Sequence, residues 1–261
     1  MFRKLVLIAT MIFFSAFNAN AGSDGELILK KNKPAEIKDC FEKINRVTFA
    51  FNQSLDGIIF KPVASLYRKL PSPAKNGVSN SLENISHLLT IPNNIIQGDF
   101  KQAGINTGRF IINTTIGILG IFDVAEYLGL TNYEKEDYGQ SLAKLGVGPG
   151  CYIVLPVLGP STIRDTLSST LNYFGGDPWY NVTIGKDTKY FENSDYYYSK
   201  GASGVDFRAK NFDSIENLEK NSLDFYASVK SLYLQDRQQK ILNSRKIINT
   251  QDDSDWEEIN Q

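Results

Sequence analysis

The sequence predicts a mainly α-helical single domain behind an export leader. Apolar residues recur at three- and four-residue steps along most of the chain, and no clear run alternates apolar and polar residues as a half-buried strand does. The leader is read from Met1-Phe2-Arg3-Lys4, the apolar stretch Leu5 to Phe17, and Ala19-Asn20-Ala21 before Gly22, the order of a secretory signal peptide. That stretch is shorter than the roughly 20 residues a spanning helix needs, which argues against an uncleaved anchor. Residues 1–21 are thus assigned to the leader, 22–38 to a linker, 39–245 to the helical domain and 246–261 to a polar tail.

The elements follow in order. Phe41, Ile44, Val47, Phe51, Leu55 and Ile58 share one helical face, and Val63, Leu66, Tyr67 and Leu70 continue it after Pro62, which interrupts or restarts the helix. Ser72-Pro73 reads as an N-cap with proline in the first helical position. Val78, Leu82, Ile85 and Leu89 carry the next face as far as Pro92. Gly98-Asp99 resets the chain, with Asp99 and Gln102 spaced as a capping box ahead of Ala103, Phe110 and Ile111. Ser161 is read as the cap of a helix through Ile163, Leu167, Leu171 and Phe174, closed by Gly175-Gly176. Two further helices are placed over 195–215 and 222–242, and Asn249 to Gln261 reads as a disordered end.

With 28 Lys and Arg against 29 Asp and Glu, and no basic stripe, the chain has no electrostatic footprint for nucleic acid. Cys40 and Cys151 lie far apart in dissimilar settings; an exported compartment permits a bond between them, but two cysteines prove no framework, so the pairing is left open with the unpaired reading preferred.

Two segments depart from an ordinary soluble helical protein. Leu145 to Ile163 carries no charged side chain, yet is broken by Gly146, Gly148, Gly150 and Gly159 and by Pro149, Pro156 and Pro160. It is too apolar for a loop and too broken for a spanning helix, whose freed carbonyls lipid does not satisfy. Phe110 to Val124 sets Gly117 and Gly120 among isoleucines and is likewise too short to span. The two segments form either a buried core or a partial insertion into one leaflet.

The search for chemistry finds no catalytic constellation. His87, the single histidine, falls near the boundary of an apolar face and is read as a surface or boundary residue. Gly201 to Gly204 lacks nucleophile-elbow spacing and reads as a helix break or loop. Glu136-Asp137 and Asp252-Asp253, adjacent in sequence, read as solvated charge. Arg164 could meet a lipid phosphate, but pairing with an acid such as Asp123 or Asp137 is preferred. Tyr173, Trp179, Tyr180, Tyr190 and Tyr196-Tyr197-Tyr198 have an aromatic density found both at membrane interfaces and in protein contacts. No enzyme and no cofactor are expected.

Phe41 to Asn52, Lys61 to Asn80, Ile95 to Gly104, Gly108 to Ala125, Asp137 to Leu142, Gly146 to Asp165 and Asp206 to Ala209 resemble, in order and spacing, the successive signatures of MlaA/VacJ proteins. The resemblance implies a ring or disc of helices in the inner leaflet of the bacterial outer membrane, with a central channel through which misplaced phospholipid descends. It implies two partners, a trimeric porin and an MlaC-like periplasmic lipid carrier. Lipid- or membrane-contact candidates are then Ile116, Ile118, Leu119, Ile121, Ile153, Val154, Leu155, Val157 and Leu158. Channel or hinge candidates are Gly117, Gly120, Gly139, Gly146, Gly148 and Gly150. Asn45, Arg46, Asn52, Arg109, Asn113, Asp123, Asp137, Gln140, Arg164 and Asp165 are the polar residues of the signatures. Family members commonly carry an acylated cysteine at the cleavage point; residues 13–24 contain none, so attachment is expected to rest on the apolar surface. The competing reading is a soluble periplasmic lipid-binding or scaffolding protein, which would expose no apolar belt.

Overall fold

The structure, a computed structural model, describes residues 37–131, 134–184 and 190–253, with side chains to residue 242. The leader, nearly all of the linker and residues 254–261 of the tail lie outside the described residues. The architecture is mainly helical. Helix α1 (Glu42–Leu55) passes through a π-helical turn at Asp56–Phe60 into α2 (Lys61–Arg68), the wide turn falling where Pro62 offers no N–H. Helix α3 (Ser72–Ile96) starts after an extended Pro71, so Ser72 is its first residue rather than its cap. It continues through Pro92 instead of stopping there, because Asn93, Asn94 and Gln97 in its last turns are held by side chains of other elements.

Asp99, Asp123 and Asp137 cap α4 (Phe100–Thr115), α5 (Val124–Tyr127) and α6 (Tyr138–Lys144), each carboxylate accepting a backbone N–H of the first turn. The chain then departs from the all-helical expectation. Tyr152–Leu155 (β1) and Gly159–Thr162 (β2) form an antiparallel hairpin, with Tyr152 opposite Thr162 and Leu155 opposite Gly159. The flanking prolines and glycines forbid a helix, and the β-prone Tyr-Ile-Val-Leu run is too short to display alternation. Ser161 therefore lies in β2, and Thr162 caps α7 (Ile163–Leu171), its Oγ1 accepting from Asp165 N at 3.2 Å. A second π turn (Asn172–Gly176) ends α7, with Gly175 left-handed at φ +105°. After α8 (Pro178–Thr183) come α9 (Asn193–Lys210), α10 (Phe212–Asn221) and α11 (Phe225–Asp253). The helix expected over 195–215 is thus divided at Asn211, the Gly201–Gly204 stretch is helical, and the last helix runs into the segment read as tail.

Packing closes a circuit. Helix α1 touches β1, β2 touches α7, α7 packs on α6, α6 on α3, α3 on α9 and α9 on α2, which returns through the π turn to α1. Helix α11 braces it from α6 and β2. Cys40 and Cys151 are bonded, Cα atoms 5.7 Å apart, correcting the unpaired reading: the hairpin brings Cys151 back to the residue preceding α1.

The interior is polar. Among the described residues not one Leu or Phe is fully buried, and half of the buried apolar set is alanine, the rest being Tyr152, Val154, Tyr196, Tyr226 and Ile241. Tyr152, Val154 and Tyr226 form the small apolar core, with Phe49, Tyr233 and Leu234 against it. Outside, Ile44, Val47, Ile58, Leu66, Phe100 and many other large apolar residues are exposed.

Candidate functional site

The α3–α4 contact shows how a polar interior is built. Asn84, His87 and Asn94 of α3 and Asn106, Arg109 and Asn113 of α4 are buried along one seam, while Thr90 and Gln97, also buried, turn to Glu136. Asn106 Nδ2 donates to Asn94 Oδ1 at 2.8 Å, and Asn84 Nδ2 to Thr114 Oγ1 at 2.8 Å. Asp123 accepts from Arg109 Nη2 at 2.7 Å and from Asn113 Nδ2 at 2.9 Å. Burial alone would raise the Asp123 carboxyl, but the Asn113 hydrogen bond and the Arg109 charge hold it below its ordinary range. Burial, with the Arg109 charge nearby, depresses His87 to about 4, so it is neutral at physiological pH. His87 is therefore an interior residue, contrary to the boundary reading. Glu136, read as solvated, is also buried and accepts from Gln97 Nε2 at 2.7 Å.

The seam ends in a loop, residues 116–122, whose tips are apolar and whose backbone N–H groups are largely paired, within the loop or to the last turn of α4. Leu119 N donates to Thr114 O, Gly120 N to Asn113 O, Ile121 N to Ile118 O and Phe122 N to Gly117 O. Ile118 and Leu119 both sit at positive φ, +53° and +56°, a conformation costing about 1 kcal/mol or more for residues with a Cβ. The outcome is that Ile116, Ile118, Leu119, Ile121 and Phe122 all stand exposed, Leu119 at 71%. Paired N–H groups beneath apolar tips lower the cost of non-aqueous surroundings. Gly117 and Gly120 are packing positions: a Cβ on Gly117 would strike the Phe122 and Asn113 backbones, and one on Gly120 the Asn84 side chain.

The hairpin is held in a different way. Asn45 Nδ2 donates to Tyr152 O (3.1 Å) while its Oδ1 accepts from Val154 N (2.9 Å). One stretch along α1, Asn52 repeats the pattern with Leu155 O (2.8 Å) and Val157 N (2.7 Å). The two amides thus supply what a third strand would, and close the edge of β1. The tip beyond them exposes Val157, at φ +67°, and Leu158 at 73%. Val154, named above as a lipid contact, faces inward to the core because alternate residues of a strand point oppositely; Ile153 and Leu155 are half-buried on the other face.

Between hairpin, α6, α7 and α11 lies a cavity of about 280 Å³. At its floor Arg237 of α11 binds Asp137 in two parallel bonds, Nη1–Oδ2 2.6 Å and Nη2–Oδ1 2.7 Å, and both oxygens of Asp165 at 3.0 Å. Burial pushes both carboxyls up; the Arg237 charge and hydrogen bonds outweigh it and keep both ionised. A Cβ on Gly139 would collide with Arg237 and Asp165, so glycine there admits the ion pair. Gln140 is buried and donates through its backbone N to Asp137. Arg164 pairs with its neighbour Asp165 (3.0 Å) and donates to Val147 O, not to Asp123 or Asp137, because those are taken by Arg109 and Arg237. Gly146 and Gly150 take left-handed φ in the approach to β1, where Gly148 has open space about it. Arg46 lies on the exposed side of α1, bonded to Glu42 and Asp224.

The structure thus joins Asn45 and Asn52 to the hairpin, Arg109, Asn113 and Asp123 into one network and Asp137, Gln140, Arg164 and Asp165 into another. Arg237 and Tyr233, central to the second, were missed by the sequence reading; they lie 68 to 100 residues from their partners in a stretch with no distinctive motif.

Residues 37–240 match the family described as MlaA lipoprotein. An uncharacterized protein of Rickettsia bellii is 35% identical over 208 residues, 79% of this chain and 78% of its own length. The intermembrane phospholipid transport system lipoprotein MlaA of Escherichia coli K12 is 32% identical over 204 residues, 76% of each chain. A solved structure from work on the structural basis for maintenance of bacterial outer membrane lipid asymmetry superposes with a TM-score of 0.65 at 32% identity, covering 78% of this chain and 99% of that one. With the same helical architecture shared at this identity across three quarters of its length, the chain belongs to the MlaA lipoprotein family.

Proposed function

We infer that the chain removes misplaced phospholipid from the outer leaflet of the bacterial outer membrane and passes it toward the periplasm. The observation that carries this reading is the inverted distribution of polarity. A protein with exposed Leu and Ile faces, a hydrogen-bonded polar interior and no described helix long and apolar enough to cross a membrane is suited to rest in one leaflet. The closed circuit of helices then surrounds polar surface within an apolar annulus. A headgroup entering it exchanges water for fixed hydrogen-bonding groups while the acyl chains stay on apolar surface, so transport is partitioning and no bond is made or broken.

The loops at 116–122 and 156–158 supply the apolar tips of the annulus, and their backbone pairing lets them enter hydrocarbon. Membrane attachment through this surface makes detergent a requirement for keeping the purified protein monodisperse; a stable detergent-free monomer would favour a soluble lipid binder. Two partners complete the reading, a trimeric porin giving access to the outer leaflet and a soluble periplasmic carrier receiving the lipid; co-purification of each with the tagged chain tests them. Outer-leaflet phospholipid should rise when the gene is deleted in its host and fall when it is restored. An unchanged outer leaflet on deletion, with no second copy of the gene in the host, would sink the proposal.

A further inference from the structure

The cavity between the hairpin, α6, α7 and α11 has a polarity of its own. Its hydroxyls are engaged with internal partners: Ser168 Oγ and Ser169 Oγ donate to Asp165 O (2.8 and 2.7 Å), Tyr138 OH to Gly176 O (2.6 Å) and Tyr233 OH to Asp165 Oδ2 (2.8 Å), while Ser161 Oγ lies 3.3 Å from Thr162 O and 2.9 Å from Thr166 Oγ1. A hydroxyl that has donated keeps only lone pairs for a ligand. Asn172, where α7 gives way to the π turn, adds a carbonyl Oδ1 that is buried without a hydrogen-bond partner. The guanidinium of Arg237 spends its Nε proton, both Nη2 protons and one Nη1 proton on Asp137 and Asp165, leaving a single donor. With Arg164 behind Asp165 the ionised cluster is neutral, so hydrogen-bond polarity rather than net charge decides what fits.

We propose that this acceptor-lined cavity is a headgroup subsite for a primary ammonium, and that it makes the protein prefer ethanolamine phospholipids over lipids with uncharged or anionic headgroups. The proposal rests on the transport reading above and specifies its substrate. An ammonium offers three charge-assisted donors to a wall of acceptors, whereas a phosphate finds one free N–H and the hydroxyls of a glycerol terminus donate without charge. The cavity, at about 280 Å³, is too small for a diacyl lipid but takes a headgroup. Leu155, Leu158 and Pro160 of the hairpin make its opposite wall and lead to the exposed tip, where the rest of the lipid would lie.

The test is the lipid retained by the full chain after exchange in bilayers of equal phosphatidylethanolamine and phosphatidylglycerol, read by mass spectrometry. Wild-type protein should enrich the ethanolamine lipid roughly tenfold, the worth of one charge-assisted hydrogen bond. N-acetylation of the same lipid, which removes the ammonium, should abolish the enrichment with no change to the protein. Asn172→Leu should lower it and Asn172→Asp raise it; a shift in the same direction for both would mark simple damage to the fold and count against the subsite. Millimolar free ethanolamine should leave the ratio unchanged; displacement by it would reassign the cavity to soluble amines. Retained lipid that mirrors the bilayer overturns the subsite and leaves transport standing, whereas no retained lipid of any kind overturns both.

Discussion

Asn45 shows how a single side chain takes the place of a structural element. Its amide caps the edge of β1 through one donor and one acceptor, and its Nδ2 also reaches Asp39 Oδ1 at 2.7 Å, so Asn45→Ala leaves Val154 N and Tyr152 O without their partner in a buried place. The expected cost is about 2–3 kcal/mol, measurable as a fall in the denaturant midpoint in detergent. Asn45→Asp keeps the acceptor but loses the donor and sets a charge beside Asp39, so it should cost more than the alanine; a neutral result for both would refute the clamp. His87 provides a second handle. Its folded pKa, about 4, lies below the unfolded value near 6.5, so its stabilising contribution is complete above pH 6.5 and is lost as pH falls toward 4. Thermal melts at pH 7.5 and 5 should differ by on the order of 2 kcal/mol from this group, and His87→Gln should flatten that window without changing the steeper acid limb below pH 4.

Elements were legible in the sequence to the extent that periodicity fixes them. The apolar face of α1 was found from Phe41, Ile44, Val47 and Phe51, but periodicity does not say which way a face turns. In the structure these residues are exposed, Val47 at 71%, and the opposite face, with Asn45 and Asn52, meets the hairpin. The hairpin was hidden for another reason: four-residue strands whose edge is closed by side-chain amides leave no alternation to read. The apolar segments around Leu119 and Leu158 were legible, while the pairing that lets their backbones enter lipid was not. Leu119→Asp and Leu158→Asp at these tips should fold normally by circular dichroism yet weaken binding to vesicles, by up to about 3 kcal/mol each if the tip reaches the hydrocarbon. Unaltered vesicle binding would remove the tips from the membrane. The disulfide closes a loop with a sequence separation of 111 between the start of α1 and the start of the hairpin. Its loss in Cys40→Ser/Cys151→Ser should cost up to about 4 kcal/mol through the entropy of the unfolded chain, and dithiothreitol should bring the wild type to the same midpoint.

At the scale of the molecule, the circuit of helices is joined in several places by polar and charged side chains, and Arg237 is where three arcs of it meet. The guanidinium reaches the cap of α6 and the first turn of α7 from α11, so it binds together elements a hundred residues apart. Arg237→Met keeps the stem and removes the charge, leaving the Asp137 and Asp165 carboxylates side by side in the cavity floor. The expected cost is about 3 kcal/mol, the low end for a broken buried pair because Asp137 is partly exposed. The pH dependence separates this from a general loss of packing. In the wild type both carboxyls are held below their ordinary range, so their contribution is present above the unfolded pKa near 4 and is lost as pH falls through the folded values. Without the arginine the half-buried Asp137 carboxyl is raised instead, Asp165 keeping Arg164, and the penalty should shrink as pH falls and Asp137 protonates. The stability gap between wild type and Arg237→Met should therefore narrow from pH 7 to pH 4, the His87 contribution cancelling between them. Asp137→Asn added to Arg237→Met should recover much of the loss at pH 7, since it removes the charge left without a partner, while Asp165 keeps its pair with Arg164. A gap that stays constant with pH, or a double variant no better than the single one, would mean that Arg237 holds the circuit by its aliphatic stem alone.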